Sequence, residues 1–381
     1  MKRLLILILM LSLIAFPVQA APAEVPVKSA LLMDAATGQI LYEQNIHQRL
    51  APASVTKVMT MLLIMEAIDS GNIQWTDMVT TSEAAAAKGG SQIYLKVGEQ
   101  MSVADMVKSI AVSSANDAAC AMAEHLQGSE EAFVQIMNRR AGELGMSDTH
   151  FVNCTGLDDD PAAAGHLTSA HDIALMSREL LVNHPKIMEY TTIWMDTIRD
   201  GSFGLSNTNK LVRFYPGATG LKTGFTRGAG YCLSASAQRD GLHLIAVVLG
   251  AENSAQRFSA CKQLLDWGFA NYALVAPEVT GGQVPVRLGT ADFVEAVPME
   301  QPRLLVEKQQ RPSVTTEISL EEVVTAPVSE GQRLGTLTVR SGEQVLRQIP
   351  LIAKSPVPRL TFGQVFRRLF ARVCGGNPDT A

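Results

Sequence analysis

The sequence predicts an α/β protein of the α+β kind: one antiparallel-rich sheet flanked by helices, then a small all-β domain and a terminal amphipathic helix. Strand-like runs stand at Ser29 to Asn45 and again at Gly217 to Leu249, with apolar helical segments between them and a closing helix after them. Chain ends that return as strands around a helical middle build one sheet with helices packed on it. Beyond about Pro277 the composition shifts, and Gly281-Gly282, Pro285, Pro298, Pro302, Pro312 and Pro327 punctuate short β-like runs.

Residues 1–20 read as a targeting segment. Lys2-Arg3 is a basic start, Leu4 to Phe16 an apolar run too short to span a bilayer, and Val18-Gln19-Ala20 a small-residue cleavage site, which leaves Ala21 as the mature N-terminus. The mature chain is then expected across the cytoplasmic membrane. Loss of Lys2 and Arg3 takes the formal charge from −5 to −7, which argues against nucleic acid as a partner. With 47% hydrophobic residues there is ample material for a core, and the length suits a large domain (21–276) plus a small one (277–355) and a linker with a final helix (356–381). Cys120, Cys154, Cys232, Cys261 and Cys374 are odd in number and far apart, so they form neither a disulfide framework nor a zinc site, and most read as buried thiols.

In order, Ala30-Leu31-Leu32-Met33 and Ile40-Leu41-Tyr42 form a hairpin around Thr37-Gly38 and deliver the chain to Ala53-Ser54-Val55-Thr56-Lys57. Val58 to Met65 is apolar on nearly every face and predicts a buried helix, with Pro52 in its first turn. Ser54 and Lys57, three apart, share a face of that helix. A lysine at the mouth of a buried helix is desolvated, its pKa falls, and the neutral amine can take a proton from a neighbouring hydroxyl. Serine-x-x-lysine alone is weak evidence, since an N-cap followed by a solvated lysine looks the same. Ser102 to Leu126 reads as two helices broken at Ser113-Ser114-Ala115-Asn116-Asp117, either a capping turn or a site. Ser169 to Val182 is an amphipathic helix. Lys222-Thr223-Gly224 lies in a strand-rich stretch, with strands at Tyr231 to Ala237 and Leu242 to Leu249. Ser254 to Ala270 closes on the sheet through Phe258, Cys261, Leu264, Leu265 and Trp267. Arg333 to Val339 and Gln344 to Ile349 form a hairpin around Ser341-Gly342 in the small domain. His150, His166 and His171 lack the spacing of the common zinc helix, so no metal is expected, and no cofactor.

Ser54-Val55-Thr56-Lys57, Ser114-Ala115-Asn116 and Lys222-Thr223-Gly224 occur in that order, and a set of three is far more specific than any one. The chain resembles the low-molecular-mass penicillin-binding proteins, serine D-alanyl-D-alanine carboxypeptidases with a β-lactamase/transpeptidase-like fold, from about Lys28 to its end. The resemblance implies a peptidoglycan stem peptide ending in D-Ala-D-Ala as substrate, a part in peptidoglycan biosynthesis and cell shape, and β-lactams as covalent inhibitors. It implies Ser54 as nucleophile, Lys57 as proton acceptor, and Ser114 with Lys222 beside it as a relay to the leaving D-alanine. Asn116 is implied to bond the substrate amide and Lys57, and Lys222, Thr223 and Arg257 to meet the terminal carboxylate. The N–H of the nucleophile and one on the Gly224 strand are implied as oxyanion donors. Several members carry histidine directly after the third motif, where this chain has Phe225, which alters the pocket wall.

Glu179 and Asn183 have the spacing that holds the deacylating water in class A β-lactamases, but they lie within an ordinary amphipathic helix and read as chance. A β-lactamase, a transpeptidase or endopeptidase on the same scaffold, and a non-catalytic envelope-binding module stand as alternatives. The last has no need of Lys57.

In residues 359–374, Phe362, Val365, Phe366, Leu369, Phe370 and Val373 form one helical face, with Arg367, Arg368 and Arg372 opposite and Arg359 just before. Thr361 is the expected N-cap and Gly375 the stop. Too short and too charged to span a bilayer, the helix suits an anionic membrane surface, and it would hold the protein peripherally on the outer face of the cytoplasmic membrane. Packing on the β domain is the alternative.

Overall fold

The computed structural model describes Pro22, residues 24–158 and residues 161–373, with side chains to residue 370. The signal segment, Gly375 and Cys374 lie outside the described residues, as do the side chains of Arg372 and Val373. Two compact units divide at Asn271/Tyr272.

The first unit is built on a five-stranded antiparallel sheet. In spatial order its strands are Ile40–Gln44, Ser29–Asp34, Leu242–Ala251, Gly230–Arg239 and Ala218–Thr226. The expected hairpin pairs Leu32 with Tyr42, and the first strand also pairs Leu32 with Ala246. Ser29–Asp34 is buried along its whole length, and Leu242–Ala251 along nearly all of it. Such continuous burial marks strands covered on both faces. Helix Ser254–Asn271 packs on them, burying Phe258, Cys261, Leu264, Leu265 and Trp267 as the sequence reading expects, and helix Ala170–Asn183 packs on the same strands.

Helix Lys57–Asp69 occupies the centre of the helical layer. Residues 57–65 are all buried, and helices Val103–Ser113, Asn116–Gln127, Glu130–Glu143 and Ala170–Asn183 surround it. Serines start the neighbours: Ser102, Ser129 and Ser169 accept the N–H of Asp105, Ala132 and Asp172, each satisfying an orphan donor of a first turn. The central helix starts later than its sequence suggests. Ala53–Thr56 is a separate 3-10 turn with Pro52 before it, and Ala53 sits at φ +48. The α-helix proper opens at Lys57.

Cys120, Cys154, Cys232 and Cys261 are buried free thiols. Among the described residues, no helix is long and apolar enough to cross a membrane.

Among the described residues the second unit is all-β apart from a 3-10 turn at Arg311–Ser313 and its last helix. Its main sheet runs Val314–Leu320, Arg333–Ser341, Gln344–Ala353, Phe293–Pro298, Gly282–Arg287 and Val324–Thr325. Its core is Val284, Val294, Ala296, Leu334, Leu337, Val339, Ile349 and Leu351. The hairpin around Ser341-Gly342 forms with Leu337 opposite Ile349. Helix Phe362–Val373 follows, and Gln364 Oε1 accepts from both the N–H and the hydroxyl of Thr361. Arg368 ties the helix to the unit through Gly289 O, Thr290 O and Asp292. Its apolar side chains stay uncovered: Phe362, Phe366, Leu369 and Phe370 are 58–87% exposed.

Candidate active site

The 3-10 turn carries Ser54 and hands the chain to Lys57 after one turn, so both side chains face the same way. Lys57 Nζ lies 3.0 Å from Ser54 Oγ and donates to the carbonyl of Thr155 at 2.8 Å. The lysine is fully buried. Burial lowers its pKa to about 7, against the smaller opposing pull of Cys154 and Asp117. At neutral pH a large share of the amine is therefore unprotonated, beside a hydroxyl that can give it a proton.

The Thr155 carbonyl is held from several sides. Thr60 Oγ1 donates to Cys154 O at 2.7 Å, and the Cys154 N–H donates to Glu130 at 3.1 Å. Asn153 Oδ1 accepts the N–H of Thr155 and of Gly156. Gly156, at φ +82, has no room for a side chain: a Cβ there would lie 1.9 Å from Ala53 O. His166 Nε2 is 2.7 Å from Thr56 Oγ1, whose hydroxyl also reaches Ala53 O, and the Val152 N–H donates to His166 Nδ1. Burial first, then the charges of His150 and Lys57, press the His166 pKa down to about 4.

Helix Val103–Ser113 ends on Ser114 in the left-handed conformation at φ +61. The Ser-x-Asn turn is thus a helix cap. Asn116 Nδ2 donates to Gly89 O at 2.7 Å, and its N–H to Ser91 O. Its Oδ1 is buried with no partner. The buried Asp117 carboxylate accepts the N–H groups of Ile93 and Leu95 and fixes the loop that holds Asn116.

Lys222-Thr223-Gly224 lies on Ala218–Thr226, the edge strand of the sheet, where backbone groups lack a neighbouring strand. Thr223 Oγ1 donates to Thr208 Oγ1 at 2.7 Å, and the Thr208 N–H donates to Val112 O, which draws this strand to the Ser114 turn. Lys222 is fully buried, and its pKa falls well below the usual value through burial, then the charges of Lys57 and Arg257. Gly224 passes against the nucleophile turn so closely that a Cβ would stand 2.5 Å from Pro52 O and 3.1 Å from Ser54 N.

Arg257 reaches the third motif from the closing helix. Its Nη1 donates to Gly224 O (3.1 Å) and Cys232 O (3.3 Å), and its guanidinium lies over the rings of Tyr231 and Phe258. Its buried Nε has no partner. Phe225, half exposed, packs against Tyr231 with ring centroids 4.3 Å apart and the planes tilted, and continues the aromatic wall. The residues that sequence reasoning misses are Thr155, Gly156, His166, Thr208 and Asp117. Glu179 bonds Asn183 but also ion-pairs with Arg140 at 2.7 Å, so its carboxylate already has a cation.

A family model described as D-alanyl-D-alanine carboxypeptidase matches residues 16–253, and one described as penicillin-binding protein 5, C-terminal domain, matches residues 269–359. The chain is 44% identical over 348 residues to D-alanyl-D-alanine carboxypeptidase DacF of Bacillus subtilis, covering 90% of this chain and 88% of that one. Among solved structures it is similar to penicillin-binding protein 5 of Haemophilus influenzae, with TM-score 0.76, 30% identity, and 89% and 99% of the two chains covered. It also resembles the ampicillin-bound penicillin-binding protein D2 of Listeria monocytogenes, with TM-score 0.59, 33% identity, and 65% and 100% covered.

Gly224→Ala is expected to cost at least about 10²-fold in acylation by a fluorescent penicillin, with the far-UV spectrum kept, because the strand must move off the nucleophile turn. Labelling at the wild-type rate would mean that the strand can relax without displacing Ser54.

Proposed function

The chain belongs to the D-alanyl-D-alanine carboxypeptidase family, and we propose that its reaction, removal of the terminal D-alanine from a D-Ala-D-Ala peptide, runs through an acyl-enzyme on Ser54. The observation that carries this reading is the 3.0 Å approach of a buried, pKa-lowered Lys57 to Ser54 Oγ. Ser54 Oγ attacks the carbonyl of the penultimate D-alanine while its proton passes to Lys57. The Ser54 N–H and an N–H of the edge strand stabilise the oxyanion. As the C–N bond breaks, Ser114, with Lys222 read as its partner, gives its proton to the leaving amine and takes back the one held on Lys57. Water then cleaves the ester and restores Ser54. Asn116 Oδ1 takes the substrate amide N–H. Lys222 and Thr223 meet the terminal carboxylate, with Arg257 Nε as a further donor. A β-lactam enters the same way, but its leaving group stays tethered, and the acyl-enzyme lasts. The ion pair between Glu179 and Arg140 speaks against a β-lactamase reading.

Residues 1–20 are read as a signal peptide, with the mature protein on the outer face of the cytoplasmic membrane, where new stem peptides arrive. The helix at Phe362–Val373 is read as its peripheral anchor, which its uncovered aromatic face and the polar tether at Arg368 support.

Ser54→Ala is expected to abolish both D-alanine release and covalent penicillin labelling. Labelling that survives in that variant would put the nucleophile elsewhere.

The free-enzyme acylation rate should rise with pH through an inflection near 7, the Lys57 value, because only the neutral amine accepts a proton. A profile flat from pH 5.5 to 8.5 would remove Lys57 as base.

Truncation after Lys354 should release the protein from the membrane fraction with activity on a small peptide unchanged. Full retention on the membrane would end the anchor reading.

A further inference from the structure

We propose that His166 is a positioning residue of this enzyme, locking the nucleophile turn and the Lys57-binding segment into one register. The inference rests on Ser54 and Lys57 as the reacting pair, and the Ser54→Ala result tests that pairing separately.

The hydrogen bonds run in one direction. The Val152 N–H donates to His166 Nδ1 at 3.0 Å, so that nitrogen is the acceptor. A neutral imidazole then carries its proton on Nε2 and donates to Thr56 Oγ1 at 2.7 Å. The Thr56 hydroxyl is left to donate to Ala53 O at 2.8 Å. Each end of this relay is a backbone group next to the chemistry. Ala53 immediately precedes Ser54, and it is held at φ +48, where alanine does not stay without restraint. Val152 begins the segment that presents the Thr155 carbonyl to Lys57 Nζ. His166 is 3% exposed, and it touches neither Ser54 nor Lys57 by hydrogen bond. Packing of its ring edge-on to Phe151, centroids 5.6 Å apart, fixes the ring plane. The imidazole thus bridges the turn at Thr56, 110 residues away from it in sequence, and the segment at Val152, through the donor and the acceptor nitrogen of one rigid ring.

The test measures acylation by a penicillin under stopped flow, separating the non-covalent dissociation constant from the acylation rate constant. Active enzyme is counted by end-point labelling. His166→Leu, which removes both hydrogen bonds, should lower the rate constant by roughly 10²-fold with the dissociation constant within about threefold, the signature of a misplaced nucleophile rather than a lost substrate contact. His166→Gln, whose amide nitrogen can reach Thr56, should recover most of the rate. His166→Asn, too short to reach Thr56, should not. Thr56→Val breaks the relay at its other end and should give a similar loss, and adding His166→Leu to it should cost little more. A His166→Leu rate constant within twofold of wild type overturns the proposal, as do equal losses in Leu and Gln, or fully additive losses in the double variant. If His166→Leu does not fold, Thr56→Val decides: a rate constant within twofold of wild type overturns it.

Discussion

The first unit is organised by a lysine kept out of water. Bringing the pKa of Lys57 from its usual 10.5 to about 7 costs the folded state roughly 4 kcal/mol at neutral pH, relative to conditions where the amine is neutral in both states. That cost is sustained because the residues after Lys57 are apolar on nearly every face and four helices close around them. The amine is offered the Thr155 carbonyl and the Ser54 hydroxyl, and much of the polar bonding nearby keeps that carbonyl and Ser54 in place. A carboxylate at the same spot would restore the charge and end the amine's use as a base.

Asp117 is the informative near-miss. It is buried and close enough to bias Lys57 toward protonation, yet its oxygens are taken by the N–H groups of Ile93 and Leu95 and by the start of its own helix. The same side chain therefore orders the Asn116 loop while its negative charge is partly absorbed by backbone dipoles. Lys222 completes the balance. A second buried amine near Lys57 makes protonation of both lysines at once costly.

The sequence makes legible those parts whose chemistry demands a residue type at short spacing. Ser54 and Lys57, the Ser114 turn and the Lys222 strand are found that way, and so are elements with strong periodicity, such as the hairpin at Ser29–Gln44 and the helix at Ser254–Asn271. What escapes is carried by backbone groups or by partners far along the chain. Thr155 acts through a carbonyl that any residue has, His166 meets Thr56 only in three dimensions, and the 3-10 start at Ala53 depends on a left-handed alanine that no propensity favours. Helix Glu130–Glu143 buries only Phe133, Met137 and Ala141, too thin an apolar stripe to announce itself. Arg257 is an intermediate case: its place beside the third motif is legible, but its grip on Gly224 and Cys232 carbonyls is not.

The four buried thiols among the described residues bear on what an oxidising space would do to this chain. Folded, Cys120, Cys154, Cys232 and Cys261 are shielded from oxidants, and burial pushes the Cys154, Cys232 and Cys261 thiols up, away from the reactive thiolate. Unfolded in an oxidising space, the same sulfurs could cross-link wrongly within seconds to hours, and the chain would not return. In such a space its working lifetime would be set by how rarely it opens rather than by the equilibrium between open and closed forms, so the tight helical layer around Lys57 would protect chemical integrity as much as shape.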